Sequence, residues 1–333
     1  MPIPKNDIQL NRVIANKLAV RDNVSNRFLK SYENTLKSQY RISLDNIRKD
    51  IDKLYAKFGE DGELFWTEYN RFNRKASLEK QIVAELRNLG AGNNGVYRKA
   101  IKGQFQDGYY STQFAHETGM GLAFQFPVLN GEQVQAALLN PVDAIKWSER
   151  SSININQLNK KVRETIAQSI IEGNSQQKTV RALRGEFSKV YNSAVRIVRT
   201  ETHRARQMGN ALNYDKTKAS FERLGIKRDK KWSATLDART RPSHGSADGL
   251  LANEDGLFQV FGVSTEAPGL TGIAGEDINC RCTAVSEVEG FSPQTRLDNE
   301  NKVITPYKSF SAWAESRGLS KNIYGQSYLK VAA

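Results

Sequence analysis

Apolar residues recur at steps of four and three from residue 28 to residue 58. Phe28, Tyr32, Leu36, Tyr40, Leu44, Ile47, Ile51, Leu54 and Phe58 predict one long helix over 7–58. No proline interrupts it, and Gly59 is a natural stop. So narrow a stripe on so polar a helix needs a partner, either another helix of the chain or a neighbouring protein. Leu78, Ile82, Val83, Leu86 and Leu89 predict a second helix over 63–89, broken by the glycines of 90–95. A third, over 96–114, lines up Val96, Tyr97, Ile101, Phe105 and Tyr109. Residues 119–131 read as a loop with one short strand at 122–126, and His116 just before it reads as a surface or core residue.

Helical periodicity resumes over 133–139, 142–147 and 158–171. Gly173 ends the last of these and Ser175 caps a new helix marked by Val180, Leu183, Phe187 and Val190. One more helix over 194–212 turns Val195, Val198 and Thr202 inward and gathers Arg199, His203 and Arg206 on another face.

The period changes after Lys227. Residues 231–236 alternate like a strand, and 257–261 and 282–285 are further strand candidates. Glycines crowd the intervening loops, as tight turns require. The fold class is therefore α+β: a long-helix region over 1–173, a small glycine-rich α+β module over 174–286, and a tail over 287–333 in which Tyr307, Phe310 and Trp313 anchor a short helix.

Composition narrows the partners. The chain has 333 residues with a formal charge of +13 and a mean hydropathy of −0.58. Between Lys178 and Lys231 stand 15 basic and 5 acidic residues. Such a balance favours anionic partners, nucleic acid among them. The candidate contacts are Lys178, Arg181, Arg184, Arg196, Arg204, Arg206, Lys227, Arg228, Lys230 and Lys231. No apolar run approaches the length of a membrane span, and the N-terminus lacks the apolar core of a signal peptide. Two cysteines one residue apart suit a reducing compartment, not a disulfide scaffold.

The densest chemistry lies between Arg199 and Cys282. His203, His244, Cys280 and Cys282 are a zinc-type inventory, in which Asp237 or Asp277 can stand in for His203. The alternative is that the cysteines are ordinary small residues of a strand. For catalysis, Arg199, Glu201 and His203 with Asp237, Arg239, Arg241 and His244 would supply a general base. Yet no nucleophile elbow, phosphate-cradling loop or paired carboxylate accompanies them, so an ion-pair lattice is expected and not an enzyme.

Four motifs in this order resemble the Mu F-like phage head morphogenesis (minor capsid) domain over about 160–286: Arg199-Thr200-Glu201-Thr202-His203, Trp232 with Asp237-Ala238-Arg239-Thr240-Arg241-Pro242-Ser243-His244, Asp248-Gly249, and Asn279-Cys280-Arg281-Cys282. The resemblance implies a low-copy minor head protein, made in the host cytoplasm and located in the virion. Its implied partners are the portal, the capsid or scaffold proteins, and packaged DNA. It implies a structural role for Arg199, Glu201, Trp232, Asp237, Arg239, Arg241, Asp248 and Gly249. Where many members carry Cys-x-x-Cys and a further His, this chain has Arg241, His244 and Asp277, which leaves His244, Cys280 and Cys282 as candidates for a structural zinc site. A likeness to ADP-ribosyltransferase folds would make Arg199 and Glu201 remnants of a nucleotide site.

Overall fold

The computed structural model describes residues 7–120, 126–288, 295–306, 309, 312, 315–316, 319–321 and 328–330. The strand expected over 122–126, apart from Phe126, and the tail aromatics Tyr307, Phe310 and Trp313 lie outside the described residues. The α+β class holds: long helices come first and short strands follow. None of the described helices is long and apolar enough to cross a membrane.

The chain forms two compact units, each assembled from separate segments. One comprises Leu29–Ala100 and Ile145–Arg199; the other comprises Met1–Phe28, Ile101–Ala144 and Thr200–Ala333. Single helices contribute to both units.

The first unit is helical. α1 (Asp7–Phe58) supplies Leu36, Ile47 and Ile51, all 1% exposed or less, to its core. α2 (Trp66–Asn70) leads through a tight turn into α3 (Arg74–Met120). The glycines of 90–95, expected to break a helix, lie inside α3. Glycine there costs about 1 kcal/mol relative to alanine; tertiary packing offsets it. A Cβ at Gly90 would stand 3.3 Å from the Ile155 side chain, and one at Gly92 3.0 Å from Gln39. Between them and the next turn, buried Asn93 donates to the Tyr40 hydroxyl at 3.1 Å. The stripe of α1 thus finds its partner within the chain, although Phe28 is 55% exposed.

α5 (Trp147–Ile171) begins eleven residues before the expected start at 158. α6 (Gln176–Arg223) is one helix where two were expected. Val180, Leu183, Phe187, Ala194 and Val198 of α6 are buried.

The second unit holds the ends of α3 and α6, α4 (Gly131–Leu139) and all the strands. Asn130 and Gln133 form a capping box at the start of α4. Residues 142–147 are not helical before Trp147, and Asp143 and Ala144 have φ of 50° and 57°. Val142 is fully buried, and the Arg204 guanidinium takes the carbonyls of Asn140 and Pro141 at 3.2 and 2.9 Å. Inside this unit α3 and α6 touch backbone to backbone. A Cβ on Gly108 would stand 2.2 Å from the Arg206 carbonyl oxygen, and one on Gly209 2.2 Å from that of Phe105. Only glycine permits that approach.

β1 (Arg228–Ser233) pairs antiparallel with β4 (Thr283–Val288), placing Trp232 opposite Ala284. β2 (Phe258–Val260) and β3 (Val263–Thr265) form a second antiparallel pair. The expected tail opens with another, β5 (Thr295–Asp298) and β6 (Val303–Pro306). It belongs to the module: Arg296 reaches Asp248 at 3.0 Å, and Glu300 N–H donates to the Leu236 carbonyl at 3.1 Å. β7 (Leu319–Lys321) and β8 (Tyr328–Lys330) form the last pair.

Candidate metal centre

The module's core is Trp232, Ala234, Leu236, Ala247, Phe258, Val260, Cys280 and Cys282. Trp232 is fully buried and meets Phe258 and Phe261 edge-on at 5.4 and 5.7 Å. His244 reaches this core from α7 (Pro242–Ser246), a single turn started by a proline whose missing N–H is no loss at the first helical position. Its ring stacks on Phe261 with centroids 5.3 Å apart.

The cysteines arrive on the chain entering β4. α8 (Ala274–Asp277) ends in a turn in which Asn279 adopts φ 58° and Cys280 N–H bonds the Asp277 carbonyl. Beyond it the backbone is extended, so residues 280 and 282 point the same way and Arg281 the other. Both thiols are buried and face His244, with Nδ1 at 3.2 Å from Cys282 Sγ and 3.7 Å from Cys280 Sγ. Arg281 turns to Asp237 instead.

Glu276 completes the group. Its carboxylate lies 2.8 Å from His244 Nε2 and accepts from Ser243 Oγ at 3.1 Å. That contact is shorter than the 3.3 Å to Arg241, and assigns the ring proton to Nε2. Nδ1 is left as a lone pair aimed at the sulfurs. A carboxylate behind a histidine, fixing its tautomer, is the usual outer partner of a metal-bound imidazole. Glu276 carries no signal in the sequence beyond standing four residues before Cys280.

Donation to Cys282, together with burial, raises the Cys280 thiol well above its usual range. Burial opposes ionisation of Cys282, but the hydrogen bond from Cys280 holds it well below that range. His244, Cys280 and Cys282 bring three donor atoms within 4.8 Å of one another. Imidazole with two sulfurs suits zinc, and complete burial suits a structural ion rather than a catalytic one. The residues supply three of the four donors that a structural zinc takes.

The other candidate ligands are placed elsewhere. Asp277 is fully buried and accepts from Thr271 N–H and hydroxyl at 3.0 and 2.7 Å and from Gly272 N–H at 2.9 Å. It closes a loop. Asp237 is held low by Arg281 against the opposing effect of burial. His203 bonds the backbone of Cys282, and burial drives its pKa down to about 3. Its Nε2 has no hydrogen-bond partner among the described residues and stands beside Gly269.

The remaining motif residues bind the module to itself. Arg241 reaches the carbonyls of Glu276 and Ile278. Arg239 meets Asp237 at 3.3 Å. Asp248 accepts from Ala234 N–H and Arg296, and Gly249, at φ 85°, donates to the Trp232 carbonyl. Glu201 pairs at 3.0 Å with Arg204, both 5% exposed or less. Arg199 pairs with Glu33 at 2.6 Å.

Four of the cations counted as nucleic-acid contacts are interior. Arg204, Arg228, Lys230 and Lys231 are 9% exposed or less. Arg228 lies 4.0 Å over the rings of Tyr214 and Phe221, and Lys231 meets Glu287 at 2.7 Å. Their charge was visible in the sequence, but their burial was not. Arg206 is half-buried and faces Asp107 at 3.6 Å. Lys178, Arg181, Arg184, Arg196 and Lys227 are exposed.

Residues 160–285 match the model of a family described as Phage Mu protein F like protein. Minor head protein GP7 of Bacillus phage SPP1 is 26% identical over 330 residues, covering 96% of this chain and 100% of that protein. NAD(+)--arginine ADP-ribosyltransferase EFV of Enterococcus faecalis is 32% identical over 291 residues, 86% of this chain. The chain spans only 57% of that relative's length. An uncharacterized protein of Haemophilus influenzae is 30% identical over 197 residues, 58% of this chain and 36% of its own length. No solved structure matches the chain.

Proposed function

We propose that this protein is a phage minor head protein acting in head morphogenesis, with its Mu F-like domain a structural module. What carries the reading is the end-to-end correspondence with minor head protein GP7, which includes the long helices as well as the motif-bearing module. In this reading the protein meets the portal and the capsid or scaffold proteins at the portal vertex, and enters the virion. Pull-down of portal and procapsids from infected cells tests it: the protein should co-purify at low copy number. Its absence from procapsids and virions alike would overturn the proposal.

The second reading, ADP-ribosyl transfer, is favoured by the name of the Enterococcus relative. Against it stands the state of the residues it would use, since Glu201 is buried against Arg204 and Arg199 is bonded to Glu33. The head-protein reading expects no NAD binding by calorimetry. Turnover of NAD that disappears in Glu201→Gln would reverse the order of the two readings.

The same reading makes His244, Cys280 and Cys282 a structural metal staple backed by Glu276. Elemental analysis of the purified protein should find zinc near one equivalent, lost in Cys280→Ser. Zinc-free protein whose melting is unchanged by a chelator would dispose of the staple.

A further inference from the structure

From Lys178 to Arg196, the side of α6 turned away from its core is a stripe of one charge. Opposite the buried row of Val180, Leu183, Phe187 and Val198 stand Lys178, Arg181, Lys189 and Arg196, with Arg184 on the flank, all five exposed. Gly185, Ser188 and Asn192 fill the spaces between them. The single acid between Lys178 and Arg199 is Glu186, which sits on the flank and meets Lys189 at 2.6 Å. Lys178, Arg181, Arg184 and Arg196 form no ion pair among the described residues. Glu172 feels the charge of Lys178, but its carboxylate already accepts from Gln168 and Asn174 at 2.6 and 2.8 Å. The outer sides of α1 and α5 differ: there Lys53 pairs with Asp50, and Lys160 and Lys161 pair with Glu164.

The shape of the stripe selects among polyanions. Its cations span about 27 Å at ~1.5 Å per residue, equivalent to about eight base pairs of duplex at ~3.4 Å each. Exposed aromatic rings, on which single-stranded bases would stack, are absent from this stretch among the described residues. A docked acidic protein would need an apolar anchor at the centre of its contact, and this face has none. What remains is a row of long, flexible cations that fits a phosphate backbone and reads no base.

We propose that the outer face of α6 from Lys178 to Arg196 is a sequence-independent binding surface for the phosphate backbone of duplex DNA. This deepens the head-protein reading by naming a partner for one face. It rests on that reading only for DNA being the polymer at hand.

The test is fluorescence anisotropy of the full chain with a labelled random-sequence duplex of about 20 base pairs, titrated from about 50 to about 200 mM salt. Five phosphate contacts give a log–log salt slope near −4.5, from ~0.9 per contact. The variant Lys178→Gln/Arg181→Gln/Arg184→Gln/Arg196→Gln should melt like the parent, bind at least about 100-fold more weakly at low salt, and show a slope near −1. Neutralising Lys53, Lys57, Lys160 and Lys161 to Gln should change affinity less than about threefold. Equal losses in the two variants, or a flat salt dependence of the parent, would overturn the proposal. So would a stripe variant that keeps DNA affinity but no longer enters procapsids, because the face would then meet an acidic protein. If the parent is absent from procapsids while the DNA results hold, the stripe stands and the head-protein reading falls.

Discussion

The helical unit and the glycine-rich module solve the same problem by different means. In the helical unit, order comes from apolar volume: Leu36, Ile51, Leu158, Val162 and Leu183 are fully buried at helical spacing. Polar contacts there tie one helix to another at scattered points, such as Asn93 to Tyr40 and Tyr55 to the Asn174 carbonyl. The module has strands of three to six residues and one small apolar cluster. Its loops are held by buried carboxylates that gather backbone donors: Asp277 for residues 271–272, Asp248 for Ala234, and Asp237 for Arg239. A core of apolar volume should tolerate change by degrees, whereas a lattice of satisfied polar groups should fail at single atoms.

The largest expected effect breaks the lattice. Asp277→Leu keeps bulk but strands three donors, and should destabilise the module by about 3–5 kcal/mol, read from urea unfolding. Asp277→Asn, which keeps one acceptor, should recover part of it. In the helical unit, Leu183→Ala should cost about 3 kcal/mol through its cavity. Leu183→Met should cost less than about 1.5 kcal/mol. If Asp277→Leu proved as mild as Leu183→Met, the contrast between the units would collapse.

Acid sharpens it next. All three histidines lie in the second unit. Burial holds His116 and His203 neutral with pKa values of about 3, against 6.5 when unfolded. A histidine depressed in this way stabilises fully above pH 6.5, and the contribution is lost as pH falls toward 3. Between pH 7 and pH 5 each should remove about 2 kcal/mol. Hydrogen exchange should show the loss in the second unit first. Loss confined to the helical unit would contradict the assignment. The smallest effect is Arg163→Ala, which removes a surface pair with Glu79. It should shift stability by less than about 1 kcal/mol.

The long helices were legible because burial on one face of a helix forces a period that survives in one dimension. α1 ends where Gly59 predicts, and Trp232, Cys280 and Cys282 lie in the module's core. The glycines of 90–95 and the separate helices expected on either side of residue 192 were misleading for one reason. Glycine and polar residues lower local helix propensity, and contacts remote in sequence outweigh that loss, as Gly90 against Ile155 and Gly92 against Gln39 illustrate. The charge of Arg228, Lys230 and Lys231 was legible too. Its use, under aromatic rings and inside ion pairs, depended on neighbours that composition does not name.

The sequence by itself determined the helical period, the excess of positive charge and the set of donors around Cys-x-Cys, because these are properties of order and type along the chain. Tertiary structure decided which cations face water, which carboxylate backs His244, and which of Asp237, Asp277 and His203 stays outside the sulfur pair. Burial, tautomer and charge state follow from distances between residues such as Glu276 and His244, 32 positions apart, and only the folded chain sets those distances.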